Sequence, residues 1–235
     1  MTQILAVIPA RGSSKGIPRK NLVELAGHPL VYYTIVAAMG APSVAMTVLS
    51  SEDDEILEVA RGLGAHPLRR PEHLSTDSAS SESVVEHAIL EMIRAGHQFD
   101  AVLLLQPTSP LRNSKDIEDA VKDFEGMDEA NAALISVYEP EHSPYKAFTI
   151  NNRHYLEALF GSQTPFARRQ DLPQAYYANG AIYLVKVGYF LKSGSLFSEH
   201  TRPFTMDRSR SIDIDTRADI LAAEHFLSLQ NPNDP

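Results

Sequence analysis

The 235-residue sequence predicts an α/β fold in which helices cover both faces of a mostly parallel sheet. Short aliphatic runs alternate with segments whose apolar residues recur at helical spacing, and the links between them are short. The runs at 4–8 and 100–105 are almost continuously aliphatic, as is typical of strands buried on both faces of a parallel sheet. One large domain is the expected organisation for a chain of this length.

The individual elements follow from this alternation. Proline at position 29 suits the first turn of a helix, and glycines at 40 and 96 suit helix ends. Strands are predicted at 4–8, 44–49, 100–105 and 132–138, with a short segment at 65–68. Helices are predicted at 29–40, 52–61, 85–93 and 115–124, and a closing helix has its apolar face at Ile220, Ala223 and Leu227.

Composition argues against several classes of protein. The formal net charge is -9, whereas a general nucleic-acid binder needs a basic face. The sequence has no cysteine, which excludes a disulfide framework and a thiolate metal site. No apolar run approaches the roughly 20 residues of a membrane helix, and the first residues do not resemble a secretory signal. We therefore expect a cytoplasmic protein with no nucleic-acid partner and no membrane partner.

The loop after the first strand has the composition of a polyphosphate site. Residues 9–21 contain two glycines, two serines and four cations, and no acid precedes Glu24. The cations are Arg11, Lys15, Arg19 and Lys20. Glycine permits close approach of the backbone to a ligand, and arginine and lysine neutralise phosphate oxygens. The alternative is a solvated basic loop, and neither the Walker A pattern nor the dinucleotide-binding glycine pattern is present.

A second candidate site precedes the closing helix. A strand over 211–216 would place Asp213 and Asp215 on one face and direct the isoleucines beside them to the core. Two convergent carboxylates suit Mg²⁺, which usually keeps water ligands and bridges to phosphate. Alternatively, Asp215 or Thr216 caps the closing helix, and the two roles are compatible.

The alternation fails between 139 and 178. This insert has four prolines, several aromatic residues and the cations Lys146, Arg153, Arg168 and Arg169. Regular structure is expected to resume at 179–183, so we divide the chain into an α/β domain at 1–138 and 179–235 and the insert at 139–178. Long insertions in compact domains are usually functional or form an interface. The alternative is a mobile surface excursion.

Four spaced motifs resemble those of the cytidylyltransferases that activate sialic, legionaminic and pseudaminic acids. They are PARGSSKG at 9–16 followed by Lys20 and Asn21, LQPTSPLR at 105–112, NGAIY at 179–183 and IDIDT at 212–216. The resemblance implies a Rossmann-like nucleotidyltransferase fold with an inserted dimerisation arm. It also implies that CTP and a nine-carbon sugar acid give a CMP-sugar and pyrophosphate, with Mg²⁺ as cofactor and a homodimer as the assembly. Sialic or legionaminic acid is the favoured acceptor.

The same resemblance assigns roles to particular residues. Those implied to bind the nucleotide are Ala10, Arg11, Gly12, Asn21, Arg70, Ala79, Ser81 and Gln106. Those implied to act in catalysis are Arg11, Lys15, Lys20 and Asp215, the last as a candidate base. Those implied to bind the sugar acid are Gln106, Lys146, Arg169, Asn179, Tyr183 and Phe197. Asp213 and Asp215 are implied to hold the metal, and Lys146 and Arg169 to reach a partner's site and hold the sugar's carboxylate there.

Three rival functions remain open on sequence alone. A cytidylyltransferase for the eight-carbon acid Kdo shares the fold and chemistry, although the long aromatic insert and the NGAIY motif argue against it. A non-catalytic nucleotide-binding relative is a second rival. An α/β enzyme that uses UTP or GTP is the third, and competition between nucleotides would expose it.

Overall fold

The structure, a computed structural model, describes residues 2–230 and is built on a seven-stranded sheet. The strands are β1 (Ile4–Pro9), β2 (Glu24–Leu25), β3 (His28–Pro29), β4 (Val44–Ser51), β5 (His66–Arg69), β6 (Ala101–Leu104), β7 (Ala133–Tyr138), β8 (Phe148–Ile150), β9 (Leu156–Ala158), β10 (Tyr177–Lys186) and β11 (Thr201–Thr205). The order in the sheet is β11-β7-β10-β6-β1-β4-β5. Strand β10 is antiparallel to β6 and β7, and every other neighbouring pair is parallel.

Within residues 2–230, six α-helices accompany the sheet. They are α1 (Leu30–Met39), α2 (Asp54–Gly62), α3 (Ser81–Arg94), α4 (Ser114–Glu125), α5 (Val187–Ser193) and α6 (Arg217–Gln230). Helices α1, α2 and α4 pack on one face, and α3 and α5 pack on the other. Among residues 2–230, no helix has the length and apolar character needed to cross a membrane.

Strand β1 shows how the sequence produces this layered core. Side chains in a strand alternate between its two faces. Ile4, Ala6 and Ile8 accordingly join the core under α1, α2 and α4, whereas Leu5 and Val7 join the core under α3 and α5. All five are fully buried, so a polar residue has no place in this run.

The predicted α/β fold, with a mostly parallel sheet and helices on both faces, is confirmed. Helix α5, strand β11 and the antiparallel direction of β10 were not predicted. The chain re-enters the sheet at the edge where β7 ends, since Tyr177 pairs with Tyr138. From that edge, β10 runs antiparallel to β6 and β7. The apolar pattern of a buried strand does not indicate the direction of the strand, so the sequence did not predict it.

The predicted strand over 211–216 is wrong. The segment joins no strand within residues 2–230, because its neighbour is a loop and not a strand: Ile214 N donates to Thr108 O at 2.8 Å. The predicted alternation survives nevertheless. Ile214 is fully buried, while Asp213 and Asp215 are exposed.

A buried ion pair anchors the chain that leads to these two aspartates. Asn113 and Asp116 form a capping box at the start of α4. The carboxylate of Asp116 also accepts two hydrogen bonds from Arg210 Nη1, at 2.7 and 2.8 Å, and both side chains are largely buried. The start of α4 therefore fixes the position of residue 210, just before Asp213 and Asp215.

The insert lies outside the sheet up to residue 176. Strands β8 and β9 form a small hairpin, and the rings of Tyr145 and Phe160 lie 4.8 Å apart. Large apolar side chains face outward on this segment: Ile150 is 67% exposed, Leu156 66% and Phe166 80%. The core of the α/β domain therefore does not cover the apolar surface of the insert.

Candidate active site

A cavity of about 270 Å³ opens at the carboxyl edge of the sheet, beyond the ends of β1, β5 and β6. Ligands of open α/β sheets bind at this edge. Seven predicted site residues line the cavity: Arg11, Lys20, Asn21, Arg70, Ala79, Ser81 and Gln106. Ala10 is fully buried and Gly12 partly buried, and both flank Arg11 without lining the cavity. A larger cavity of about 700 Å³ lies elsewhere and contains none of the predicted site residues.

The loop after β1 is held in place by its own side chains. Asn21 is buried, and its Nδ2 donates to Arg11 O at 2.8 Å. Ile17 is buried in a cluster with Ile214, which ties the loop to the segment of the two aspartates. A Cβ atom at Gly16 would lie 2.8 Å from the backbone oxygen of Asp215, so only glycine permits this approach. Gly16 therefore lets the loop pack against the backbone of residue 215 in the same chain.

Carboxylates surround the cations of this loop. Arg11 Nη1 lies 2.6 Å and Lys15 Nζ 3.0 Å from the two oxygens of Asp77. Arg19 pairs with Asp53 and Glu55 at the start of α2, away from the cavity. Lys20 Nζ donates to Ile214 O at 2.7 Å and to Asp215 Oδ1 at 2.9 Å. Arg11 and Lys20 therefore line the cavity, Lys15 reaches it only through Asp77 at its rim, and Arg19 lies away from it.

Sequence reasoning missed two acids at this edge. Glu52 Oε1 accepts from the backbone N–H of Gly12 at 2.7 Å, so this loop donor already binds a carboxylate. Lys15 and Arg11 lower the pKa of Asp77, which is therefore an anion at neutral pH. Glu52 directly follows β4 and Asp77 lies between β5 and α3. Their positions beyond parallel strands were the available signal.

Arg70 is a buried cation in the cavity wall. It is 4% exposed, and it donates to Ser50 O at 2.6 Å and to Ser50 Oγ at 3.1 Å. Burial lowers its pKa to about 10, so the guanidinium keeps its charge at neutral pH. Among residues 2–230, no carboxylate hydrogen-bonds to Arg70, and a buried positive charge of this kind is well suited to an anionic or carbonyl-rich ligand.

Arg112 organises the loop that bears Gln106. Its guanidinium donates to Gln106 O at 2.8 Å, to Ala181 O at 2.8 Å and to Thr34 Oγ1 at 3.2 Å. Burial lowers the pKa of Arg112 to about 9. One buried side chain therefore joins the 105–112 motif to β10, although sequence reasoning gave it no role.

The start of β10 is packed against Gln106. Gly180 has a φ of 75°, and a Cβ atom there would lie 2.5 Å from Gln106 Oε1 and 2.7 Å from Ser109 Oγ. Asn179 is 3% exposed, and its side chain hydrogen-bonds within the protein, for example to Ser211 Oγ at 2.9 Å. The amide of Asn179 is therefore engaged in holding the site together.

Two other predicted sugar-binding residues differ in burial. Tyr183 is half-buried, and its pKa is raised by burial and by the nearby charge of Asp213. Phe197 is 64% exposed, and its backbone hydrogen-bonds to Ser195 and accepts from the hydroxyl of Tyr189 at 3.1 Å. Phe197 does not line the cavity at the sheet edge.

Asp213 and Asp215 lie beside the loop after β1, and Lys20 of that loop contacts Asp215. Asp213 is exposed as a residue, but neighbouring atoms partly bury its carboxyl group. This burial raises the pKa of Asp213, although a hydrogen bond from Thr108 acts to lower it. At the start of α6, Asp219 Oδ2 accepts from the backbone N–H of Thr216 at 2.7 Å, from the hydroxyl of Thr216 at 2.8 Å and from the backbone N–H of Asp215 at 3.1 Å. Asp215 remains directed at Lys20.

Lys146 and Arg169 stand apart from the cavity at the sheet edge. Lys146 is exposed at the end of a 3₁₀ turn. Arg169 pairs with Glu139 at 2.9 Å and lines a separate cavity of about 340 Å³ within the insert. Within a single chain, therefore, Arg169 lines a different cavity from Arg11 and Lys20, and Lys146 lines neither of the two cavities.

Comparison with known proteins decides the family. A family model described as cytidylyltransferase matches residues 5–223. The chain belongs to the cytidylyltransferase family. The match spans the β1 loop, the Gln106 loop and the aspartate pair, so every wall of the cavity lies within it.

Several curated relatives are similar over most of the chain. A pseudaminic acid cytidylyltransferase of Campylobacter jejuni is 37% identical over 218 residues, 92% of each chain. A CMP-N,N'-diacetyllegionaminic acid synthase of Legionella pneumophila is 34% identical over 97% of each chain. An N-acylneuraminate cytidylyltransferase of Streptococcus agalactiae is 34% identical over 92% of this chain but only 51% of its own length.

Solved structures support the fold. The CTP complex of CMP:2-keto-3-deoxy-manno-octonic acid synthetase superposes with a TM-score of 0.71 over 97% of this chain and 100% of that one. A 4-diphosphocytidyl-2C-methyl-D-erythritol synthase from Anaerococcus prevotii superposes with a TM-score of 0.65. The identities are 17% and 15%, so these likenesses concern the Rossmann-like nucleotidyltransferase fold alone.

Proposed function

We propose that this chain transfers the cytidylyl group of CTP to a hydroxyl of a nine-carbon sugar acid and releases pyrophosphate. The main support is the placement of Arg11, Lys20 and Arg70 around one cavity at the carboxyl edge of the sheet, beside Asp213 and Asp215. The names of the curated relatives give pseudaminic, diacetyllegionaminic and N-acylneuraminic acids as their substrates. These are sugar acids of the class that the sequence motifs imply.

The chemistry requires positioning and the neutralisation of charge. The acceptor hydroxyl attacks the α-phosphorus in line, and pyrophosphate leaves from the opposite side. Arg11, Lys15 and Lys20 stabilise the triphosphate and the leaving pyrophosphate in this proposal. The cytosine and ribose are bound by backbone and side-chain groups of the remaining predicted nucleotide residues: Ala10, Gly12, Asn21, Arg70, Ala79, Ser81 and Gln106.

Mg²⁺ is the proposed cofactor, held by Asp213 and Asp215. These hard oxygen donors beside a phosphate loop fit the ion, which supplies charge neutralisation at the phosphates when bound. Among residues 2–230, no cluster of three or more acids and histidines could hold a metal alone, so substrate oxygens and water complete the ligand set in this proposal. Asp215 is also the proposed base for the acceptor hydroxyl. Full turnover of Asp215→Asn at saturating Mg²⁺ would rule out that role.

The sugar side is proposed to need two copies of the chain. Gln106, Asn179, Tyr183 and Phe197 would form the acceptor pocket of one protomer. Lys146 and Arg169 of a second protomer would neutralise the carboxylate of the acid. Their separation from the sheet-edge cavity and the exposed apolar surface of the insert support a homodimer of this kind. A cytoplasmic location is part of the same proposal, and cell fractionation tests it.

Pyrophosphate release tests the function directly. The purified chain is incubated with CTP and Mg²⁺ and with one acid from a panel: sialic, legionaminic and pseudaminic acids and Kdo. We expect release with at least one nine-carbon acid and none without an acid. Release with Kdo alone, or bound CTP with no release for any acid, would overturn the proposal. Replacing CTP by UTP or GTP checks the nucleotide.

A further inference from the structure

One carboxylate spans the two most exposed cations of the proposed phosphate site. Asp77 Oδ1 lies 2.6 Å from Arg11 Nη1, and Asp77 Oδ2 lies 3.0 Å from Lys15 Nζ. Each oxygen therefore contacts a different cation, as two oxygens of a phosphate group would. Arg11 and Asp77 come from different walls of the same cavity, so their contact joins the two walls.

Few other interactions fix the turn that bears Asp77. Residues 76–78 are exposed, and the hydrogen bonds of the turn are local, from Ala79 N to Thr76 O at 3.2 Å and between Thr76 Oγ1 and Ser78 Oγ at 3.1 Å. Asp77 therefore connects this turn to the β1 loop. The adjoining Ala79 and Ser81 also line the cavity, so a movement of the turn reaches the proposed nucleoside site.

We propose that Asp77 acts as an internal stand-in for phosphate, which the triphosphate of CTP must displace from Arg11 and Lys15. The inference rests on the proposed function, because it takes these two cations as triphosphate ligands. Displacement frees the 76–79 turn at the moment the polyphosphate binds. After the transfer, the returning carboxylate competes with the bound pyrophosphate and favours its release.

The exchange makes the site selective for polyphosphate. A ligand that presents several charges to the loop displaces Asp77, whereas CMP lacks the β- and γ-phosphates and gains little from the same two cations. Exposed ion pairs of this kind are individually weak, so displacement costs a modest part of the affinity. We expect Asp77→Asn to tighten inorganic tripolyphosphate and CTP by about threefold to tenfold. CMP binding should change by less than about twofold.

Titration calorimetry on the full chain, without sugar acid, tests the proposal. Wild type, Asp77→Asn and the control Glu55→Gln are each titrated with inorganic tripolyphosphate, CTP and CMP. Glu55→Gln removes the same unit of charge from a carboxylate that pairs with Arg19, a loop cation outside the cavity. We expect the control to bind all three ligands like wild type.

Three results would overturn the inference or its basis. Unchanged or weaker tripolyphosphate binding by Asp77→Asn would show that Asp77 does not compete with phosphate. If Glu55→Gln tightened ligand binding equally, the effect would come from the net charge of the protein and not from Asp77 itself. Failure of wild type to bind tripolyphosphate at all would overturn the phosphate site itself, whereas binding without turnover on the acid panel would overturn only the proposed reaction.

Discussion

The cations of the sheet-edge cavity and the cations of the insert differ in how the fold supports them. Arg70 is 4% exposed and lies on a strand end, and the side chain of Lys20 is 14% exposed. Arg169, by contrast, is exposed on a segment with little core of its own. The fold therefore holds the cations of the sheet-edge cavity in fixed positions. The cations of the insert are exposed, and in the proposed function they complete a sugar-acid site only when a second protomer covers them.

The largest expected effect separates two neighbouring loop cations. Lys20→Met should lower kcat/KM by about 10²-fold or more, because it removes a cavity-lining cation beside Asp215 that the proposal assigns to the triphosphate. Arg19→Met should stay close to wild type, since Arg19 pairs with Asp53 and Glu55 away from the cavity. Steady-state pyrophosphate release measures both variants. An equal loss in the two would show that only the general charge of the loop matters.

The next effect compares two glycines with positive φ, one in each region. Gly180→Ala should lower the free energy of unfolding by about 3 kcal/mol, because the new Cβ meets Gln106 and Ser109 in a strained backbone. Gly161→Ala in the insert meets nothing within 4 Å and should cost only the strain of its φ of 98°, about 1 kcal/mol. Urea unfolding of both variants measures the difference. Equal costs would mean that the packing at Gly180 adjusts freely.

A third prediction concerns the apolar surface of the insert. Ile150→Glu should dissociate the proposed homodimer and raise the KM for the sugar acid, while the affinity for CTP stays unchanged. Leu229→Glu is the matched control, since Leu229 is 62% exposed on α6 and Ile150 67% on β8. Sedimentation velocity reports the assembly, and calorimetry reports CTP. If Ile150→Glu stays dimeric, or if it loses CTP binding, the separate roles proposed for the insert and for the sheet-edge cavity are contradicted.

The smallest expected effect is a dependence of the free energy of unfolding on pH. His87 on α3 has its pKa lowered, chiefly by burial, and its Nδ1 has no hydrogen-bond partner among the described residues. The unfolded chain therefore takes up a proton at this histidine before the folded chain does, and stability falls as the pH drops below about 6.5. His87→Gln should reduce this fall. Urea unfolding at two pH values checks it, and an unchanged pH slope would exclude His87 as a source.

The sequence was sufficient for the layered fold and for seven of the residues that line the cavity, for physical reasons. Continuous apolar runs such as Ile4–Pro9 require burial on both faces, and cations directly after such a strand must lie at its carboxyl edge. It was insufficient for the strand predicted over 211–216. An alternation of aspartate and isoleucine is compatible with a packed loop as well as with a strand. Whether a neighbouring strand is available to pair with the segment depends on the rest of the fold.

Two acids beside the β1 loop were harder to predict than the cations of the loop. Asp77 and Glu52 have the appearance of loop and helix-start residues, and their contacts with Arg11 and Gly12 arise only when separate segments meet. Arg112 is similar, because its partners Ala181 and Thr34 are distant in sequence. Motif resemblance identified the residues expected to touch ligands. The residues that hold those side chains in place had to be found in three dimensions.

Complementation between two inactive variants tests the central claim that one site is built from two chains. Lys20→Met impairs the nucleotide site and Arg169→Ala impairs the insert, and equal amounts are mixed under conditions that exchange subunits. If the insert serves its partner, each mixed dimer has one intact site, and about a quarter of the wild-type activity returns because half of the dimers are mixed. If the mixture is no more active than the separate variants although mixed dimers form, the insert does not complete the partner's site, and the account is contradicted.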